Sequence, residues 1–243
     1  MSNTALLDIE EREKQYYRAL DFYLKETSVP IVFVENTNFE LSSRYLDDIK
    51  SGRLEYITFK GNDFDRSLGK GYGEALIINE GYKRSEILKR HKYVVKITGR
   101  LIIRNINTIL NSKLLFFSHI FRCDFRPNDF LWSMVFVIET QKMDEIFREG
   151  LRQIDESKWV LFEHILYISM YQDRKTKAIP FIHSPKIEGV SGSWNMPYAD
   201  LFTEDRKARN IRQICFFYQR ANRRILYCLC RIIDLIYNGS HKW

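Results

Sequence analysis

Residues 69–100 constrain the fold more than any other stretch of this chain. A glycine-rich helix opening, Gly69-Lys70-Gly71-Tyr72-Gly73-Glu74-Ala75-Leu76, leads to an apolar strand pattern, Tyr93-Val94-Val95-Lys96-Ile97, which ends in Thr98-Gly99-Arg100. Glycine lets a backbone approach a ligand closely, a helix N-terminus offers N–H groups, and arginine can hold two phosphate oxygens at once. The pattern predicts a helix and then a strand whose carboxyl end meets an anionic phosphate ester. Lys70, Gly71, Gly73, Glu74, Lys96, Thr98, Gly99 and Arg100 are the candidate contacts. Loop geometry alone is the competing account of the glycines. The Gly-x-x-x-x-Gly-Lys-Ser/Thr of a P-loop is absent, which argues against ATP hydrolysis.

On either side of this stretch the chain alternates helical and strand patterns. Residues 8–27 read as an amphipathic helix that Pro30 ends, because the residue before proline is pushed out of the helical region. Ile31-Val32-Phe33-Val34 is a short, wholly apolar run, as expected for a parallel strand covered on both faces. It ends at Glu35 and Asn36, polar residues at the carboxyl end of a strand, where open α/β sheets bind ligands; plain turn chemistry explains Asn-Thr-Asn equally well. Residues 54–59 give a second strand, closing near Asp63, and the glycine-rich helix runs to about residue 79, with 85–90 continuing helically. A helix is expected over 101–110, strands over 114–121 and 133–140, and helices over 143–153 and 159–171. Residues 178–185 read as extended, 189–194 as a turn-rich loop, and 203–237 as one or two helices. Alternation of this kind defines the α/β class.

Composition sets the outer limits. A chain of 243 residues, 45% hydrophobic and 14% aromatic, can bury a sizeable core, so one α/β domain over residues 1–200 and a helical segment over 201–243 are expected. The four cysteines form no CxxC pair and share no metal spacing with histidine, which fits a reduced, cytoplasmic protein. The N-terminus lacks a signal-peptide pattern, and no run reaches the ~18 apolar residues of a membrane span, so a soluble or peripheral protein is expected. The net charge of +7 is concentrated late, in Arg206, Lys207, Arg209, Arg212, Arg220, Arg223, Arg224 and Arg231. Such a cluster attracts lipid headgroups or nucleic acid, or is a solvated helix face.

Among acidic residues, Glu163 stands out in Phe162-Glu163-His164-Ile165-Leu166, a carboxylate on a largely apolar helix beside a histidine; pairing with an arginine is the plainer account. Asp129 and Asp155 are further candidates, and Asp63-Phe64-Asp65 forms an Asp-x-Asp. The five histidines show no metal-ligand spacing, and the Gly-x-Ser-x-Gly of a nucleophile elbow is absent.

The order of segments 29–36, 69–76, 95–100 and 129–133 with Phe162-Glu163-His164 resembles the bacterial glycosyltransferases of the GT-A type that build surface polysaccharides. The resemblance spans residues 29 to about 200 and implies a single GT-A-like, Rossmann-like α/β domain with a mostly parallel central sheet and a C-terminal helical extension. It implies transfer of a sugar from a nucleotide-sugar donor to a hydroxyl of a polysaccharide or lipid-linked oligosaccharide, and proposing a carboxylate base leads to the expectation of inversion. Glu163 would then be the base, with Asp129 and Asp155 as alternatives. Glu35, Asn36 and Asp63 would contact the nucleoside, and Lys70, Lys96 and Arg100 the phosphate.

One departure matters. GT-A enzymes usually end the central strand in an Asp-x-Asp that holds a divalent metal, whereas Lys96-Ile97-Thr98-Gly99-Arg100 here carries the opposite charge. Metal-independent transfer without a cofactor is therefore expected, with magnesium or manganese at Asp63 and Asp65 as the alternative. The basic segment 201–243 would touch an anionic membrane surface, placing a cytoplasmic enzyme on the inner membrane. The competing function is a non-catalytic nucleic-acid-binding protein using the same segment. That account leaves the glycine-rich helix and the Thr-Gly-Arg strand end unexplained, and no nucleic-acid motif is present.

Overall fold

The computed structural model describes residues 9–111, 120–123, 125–126, 130–172, 177–181, 185–191 and 196–198. The expected basic segment 201–243 and the candidate Asp129 lie outside the described residues. Helix α1 (Ile9–Glu26) carries Glu10 and Glu11 in its first turn and Lys25 in its last, both complementing the helix dipole. Past its end the Arg53 guanidinium donates to the Thr27 carbonyl, closing the turn before Pro30.

Strand β1 (Ile31–Glu35), helix α2 (Leu46–Lys50) and strand β2 (Leu54–Thr58) follow, with β1 and β2 paired in parallel from Ile31↔Leu54 to Glu35↔Thr58. Leu20, Tyr45 and Leu54 form a small core where α1 meets this pair. All five residues of β1 are half-buried, so the apolar run is not covered on both faces as expected.

Helix α3 (Gly69–Arg84) and helix α4 (Glu86–Arg90) are separated by Ser85, which is fully buried. Ser85 Oγ accepts from the Leu88 N–H at 2.9 Å and caps α4. Strand β3 (Tyr93–Ile97) is followed by strand β4 (Ile102–Ile103) and helix α5 (Ile106–Leu110). The helix expected over 101–110 is thus split. Ile102 and Ile103 pair with residues 187–188, and Arg104 N–H donates to the Lys186 carbonyl at 2.9 Å, so strand pairing overrides local helical spacing.

Strands β5 (Ile120–Cys123), β6 (Phe125–Arg126), β7 (Phe130–Leu131) and β8 (Val135–Glu139) lead to helix α6 (Thr140–Leu151). Helix α7 (Phe162–Gln172), strand β9 (Lys177–Pro180) and strand β10 (Ile187–Glu188) complete the described elements. The helix expected from residue 159 starts only at Phe162, because Trp159 takes a left-handed conformation (φ 61°) that ends the preceding turn.

The largest sheet among the described residues has the order β3-β8-β5-β9. β8 runs antiparallel to both β3 and β5, and only β5 and β9 are parallel. The expected mostly parallel sheet is therefore mixed in this region. An apolar run reports burial and not direction, and an antiparallel central strand buries the same residues. Every residue of β8 is buried. Phe136 and Ile138 face one side, against Ala75 and Ile78 of α3, Met143, Ile146 and Phe147 of α6, and Phe162, Ile165 and Leu166 of α7. Val135 and Val137 face the other, against Ile103, Ile106, Ile109 and Phe181. This alternation is the period-two geometry of a strand, and it places α3 and α7 over the carboxyl end of β3.

Candidate active site

Lys96 lies opposite Phe136 in the β3–β8 register and so points to the helix-covered face, where its Nζ lies 5.6 Å from the Phe136 ring centre. Thr98, two residues on, extends the same face past the strand end. Ser133, which is 5% exposed, closes the neighbouring strand entry. From the helices, Glu74 sits at the Gly71–Ala75–Ile78 inner face of α3, and Glu163 sits in the first turn of α7 between buried Phe162 and Ile165. Four elements therefore bring one lysine, two carboxylates and two hydroxyls together.

The hydrogen bonds join them into a chain. Lys96 Nζ donates to a Glu74 carboxylate oxygen, to the Ser133 carbonyl and, at 3.1 Å, to Thr98 Oγ1. Thr98 Oγ1 donates onward to Glu74 Oε1 at 3.1 Å. Ser133 Oγ lies 2.8 Å from Glu163 Oε1 and 3.4 Å from Glu74 Oε2. The Lys96 side chain is 9% exposed and that of Glu74 29%, so the pair is largely withdrawn from water. Burial pushes the Glu163 carboxyl up, and the nearby Glu74 charge adds to this; the Ser133 hydroxyl and Lys96 oppose it without cancelling it.

Buried Tyr198 completes the surroundings. Burial pushes its phenol up, the Glu74 and Glu163 charges add to the rise, and Ser191 and Arg100 oppose it. The Arg100 charge is thus felt at Tyr198. Its Nη1 is buried and makes no hydrogen bond among the described residues. A buried guanidinium nitrogen without a partner is costly, and an anion would satisfy it.

The glycine-rich opening has a different role from the one expected. Gly71 N–H donates to Glu156 Oε1 at 2.7 Å, so a carboxylate from the turn before α7 already sits at the start of α3. Gly69 has φ 85°, and a Cβ there would stand 2.0 Å from the Glu156 Cδ. At Gly71 a Cβ would meet Phe162 at 3.0 Å, and at Gly73 it would meet Phe64 at 3.1 Å. These glycines allow close packing inside the protein instead of approach to a ligand. Gly99 packs in the same way, 3.0 Å from Tyr16 by its would-be Cβ. Lys70 is exposed at the helix start.

Three other predicted site residues serve the scaffold. Glu35 accepts from the Thr37 N–H at 2.7 Å, the Phe39 N–H at 3.1 Å and Thr58 Oγ1 at 3.0 Å, and so fixes the loop leaving β1. Buried Asn36 donates to Asn62 Oδ1 at 3.0 Å, joining the ends of β1 and β2. Asp155 caps the turn at 156–158 through the Ser157 N–H (3.2 Å), with Lys158 Nζ 2.6 Å away; these contacts hold its carboxylate below the usual range. Asp155 thus serves as the cap of this turn.

Among the described residues the aspartates expected to hold a metal are placed otherwise. Asp63 is exposed, and Asp65 accepts from the Ser67 N–H at 2.9 Å as the cap of another turn. The strand end that would carry an Asp-x-Asp presents Lys96 and Arg100. Among the described residues no three His, Cys, Asp or Glu side chains are grouped to hold a metal.

Sequence reasoning thus found Glu74, Lys96, Thr98 and Glu163, which the fold gathers, and Arg100 two residues beyond Thr98, and missed Ser133, Glu156 and Tyr198. Ser133 opens the apolar run of β8 and was readable only as a strand boundary. Nothing local marks Glu156 or Tyr198, whose roles depend on contacts far away in the chain. Comparison of this chain with protein-family models, with curated proteins and with solved structures finds no match.

Proposed function

We propose that this chain is a metal-independent glycosyltransferase that moves a sugar from a nucleotide donor to a hydroxyl of a polysaccharide or lipid-linked oligosaccharide. The observation that carries the reading is the convergence of Glu163, Ser133, Glu74, Lys96 and Thr98 at the carboxyl end of β3, with the buried Arg100 Nη1 two residues further along the chain. Glycosyl transfer needs a base for the acceptor hydroxyl and a cation for the departing phosphate. Glu163 supplies the base: its raised proton affinity moves it toward the working range of a general base near neutral pH. Arg100 supplies the cation, because its buried Nη1 lacks a hydrogen bond whereas Lys96 is engaged by Glu74. Lys96 therefore pairs with Glu74 and holds the Ser133 carbonyl, in place of the direct phosphate contact expected from sequence.

In this reading helices α3 and α7 and strands β3 and β8 form the catalytic face of a GT-A-like domain. An acceptor held at the inner membrane would bring the basic C-terminal segment to its surface. The test is a thermal-shift screen of the protein against UDP, GDP, CMP and dTDP and their sugars, with and without magnesium or manganese. A ligand that binds only the folded state raises Tm. The reading expects a metal-independent rise with one nucleotide class, lost in Arg100→Ala. No rise with any of them, or an equal rise in Arg100→Ala, contradicts it.

A further inference from the structure

Two carboxylates and one lysine do not balance. Lys96 contacts Glu74 directly, and Glu163 has no cation within ion-pair reach among the described residues. Ser133 has one hydroxyl proton but stands between both carboxylates, 2.8 Å from Glu163 and 3.4 Å from Glu74. If both carboxylates were ionised, that proton would serve only one, leaving two like charges together in a poorly solvated corner. With one proton on Glu163 every group is satisfied: Glu163 donates to Ser133 Oγ, Ser133 donates to Glu74, and Lys96 and Thr98 donate to Glu74 as well.

From this geometry we propose that Glu74 and Glu163 form one acid–base unit that holds a single proton, with Ser133 as the bridge between them. Proton movement along it balances. The Glu163 O–H bond breaks as a new O–H bond forms on Ser133 Oγ, while the original Ser133 O–H breaks and its proton bonds to Glu74. The net result is one proton moved from Glu163 to Glu74, which leaves Glu163 ionised and able to accept another. Glu74 is thus a positioning and proton-holding residue, where the sequence suggested a phosphate contact.

The surrounding charges agree with this count. Glu74 from α3 and Lys96 from β3 act on Glu163, and Tyr198 lies within electrostatic reach of both carboxylates and Arg100. Arg148 of α6, which packs against α7, is engaged with Asp144 and Glu149. On α7 itself, His164 Nδ1 faces the Leu161 N–H at 3.3 Å.

The proposal rests on the transfer reading only for the use made of the proton; the proton itself can be counted without it. The experiment is an NMR pH titration of protein labelled at its glutamate carboxyl carbons, in wild type, Glu163→Gln, Glu74→Gln and Ser133→Ala. The expected result is one carboxyl that stays protonated above the ordinary glutamate range and disappears in Glu163→Gln. In Glu74→Gln it should bind its proton about tenfold more weakly, the threshold for coupled sites. A smaller response to Glu74→Gln in the Ser133→Ala background supports the bridge, and an unchanged response removes Ser133 from it. Wild type alone can overturn the proposal, if every glutamate titrates in the ordinary range, and this requires no variant to fold. A high-titrating carboxyl indifferent to Glu74→Gln would mean that burial alone acts on Glu163. A protein that shows the pair but transfers no sugar would contradict the function above and leave the pair standing.

Discussion

Glu55 and Glu163 are both partly buried, and their surroundings push them in opposite directions. Burial opposes ionisation of Glu55 too, but the Ser85 hydroxyl and the N–H groups of Glu86 (2.9 Å) and Ile87 (3.1 Å) outweigh it and hold this carboxyl below its usual range. Glu163 has one hydroxyl donor and a second carboxylate for a neighbour, and its carboxyl is raised. The β2–α4 junction supplies a donor for each oxygen and becomes a joint in the scaffold. The β3–α7 corner leaves charge incompletely compensated, and that deficit is what chemistry can use.

The largest expected effect comes from removing Lys96, the cation paired with Glu74. Lys96→Met leaves Glu74 without its partner in a largely buried setting, which costs about 3 kcal/mol by the usual penalty for a broken buried pair. Urea denaturation at neutral pH measures this, and the loss should shrink in acid as the carboxylates take up protons. Glu55→Ala is next: it strands the donors at the start of α4 and should cost about 1–2 kcal/mol at neutral pH. Because the folded-state value of Glu55 is depressed, its contribution is present above the unfolded value and fades as pH falls through the folded one. The penalty of Glu55→Ala should fade with it.

Glu163→Gln should show the reverse sign. A raised carboxyl favours folding below its unfolded value, and the contribution is lost as pH rises through the folded one. The variant, which mimics the neutral acid, should therefore gain stability relative to wild type as pH rises, by thermal unfolding across a pH series. If the difference were flat with pH, the contrast with Glu55 would fail. The smallest effect is expected at Asp155→Asn, which weakens a turn cap and should leave nucleotide binding unchanged.

Much of this architecture was legible in the sequence, for identifiable reasons. Tyr93–Ile97 is a strand as read, because an apolar β-branched run bounded by polar residues has few other uses. Helix α3 begins at Gly69 as expected, although its glycines accommodate Glu156 and Phe162 and not a ligand. The direction of β8 was not legible, since parallel and antiparallel partners bury the same side chains. In the site, Glu163 was readable as a carboxylate on a largely apolar helix, and Glu74, Lys96 and Arg100 as parts of the glycine-rich segment and the strand end that follows it. That Lys96 would face Glu74, or that Glu35 would be held by the backbone of its own loop, depends on packing across the fold.

The most direct test of the central claim is to measure sugar transfer and donor binding together in Glu163→Gln, once the nucleotide screen has named the donor. The account predicts that donor binding stays near wild type while kcat falls by roughly 100-fold or more, the usual contribution of a general base. Transfer at the wild-type rate in the folded variant would contradict it.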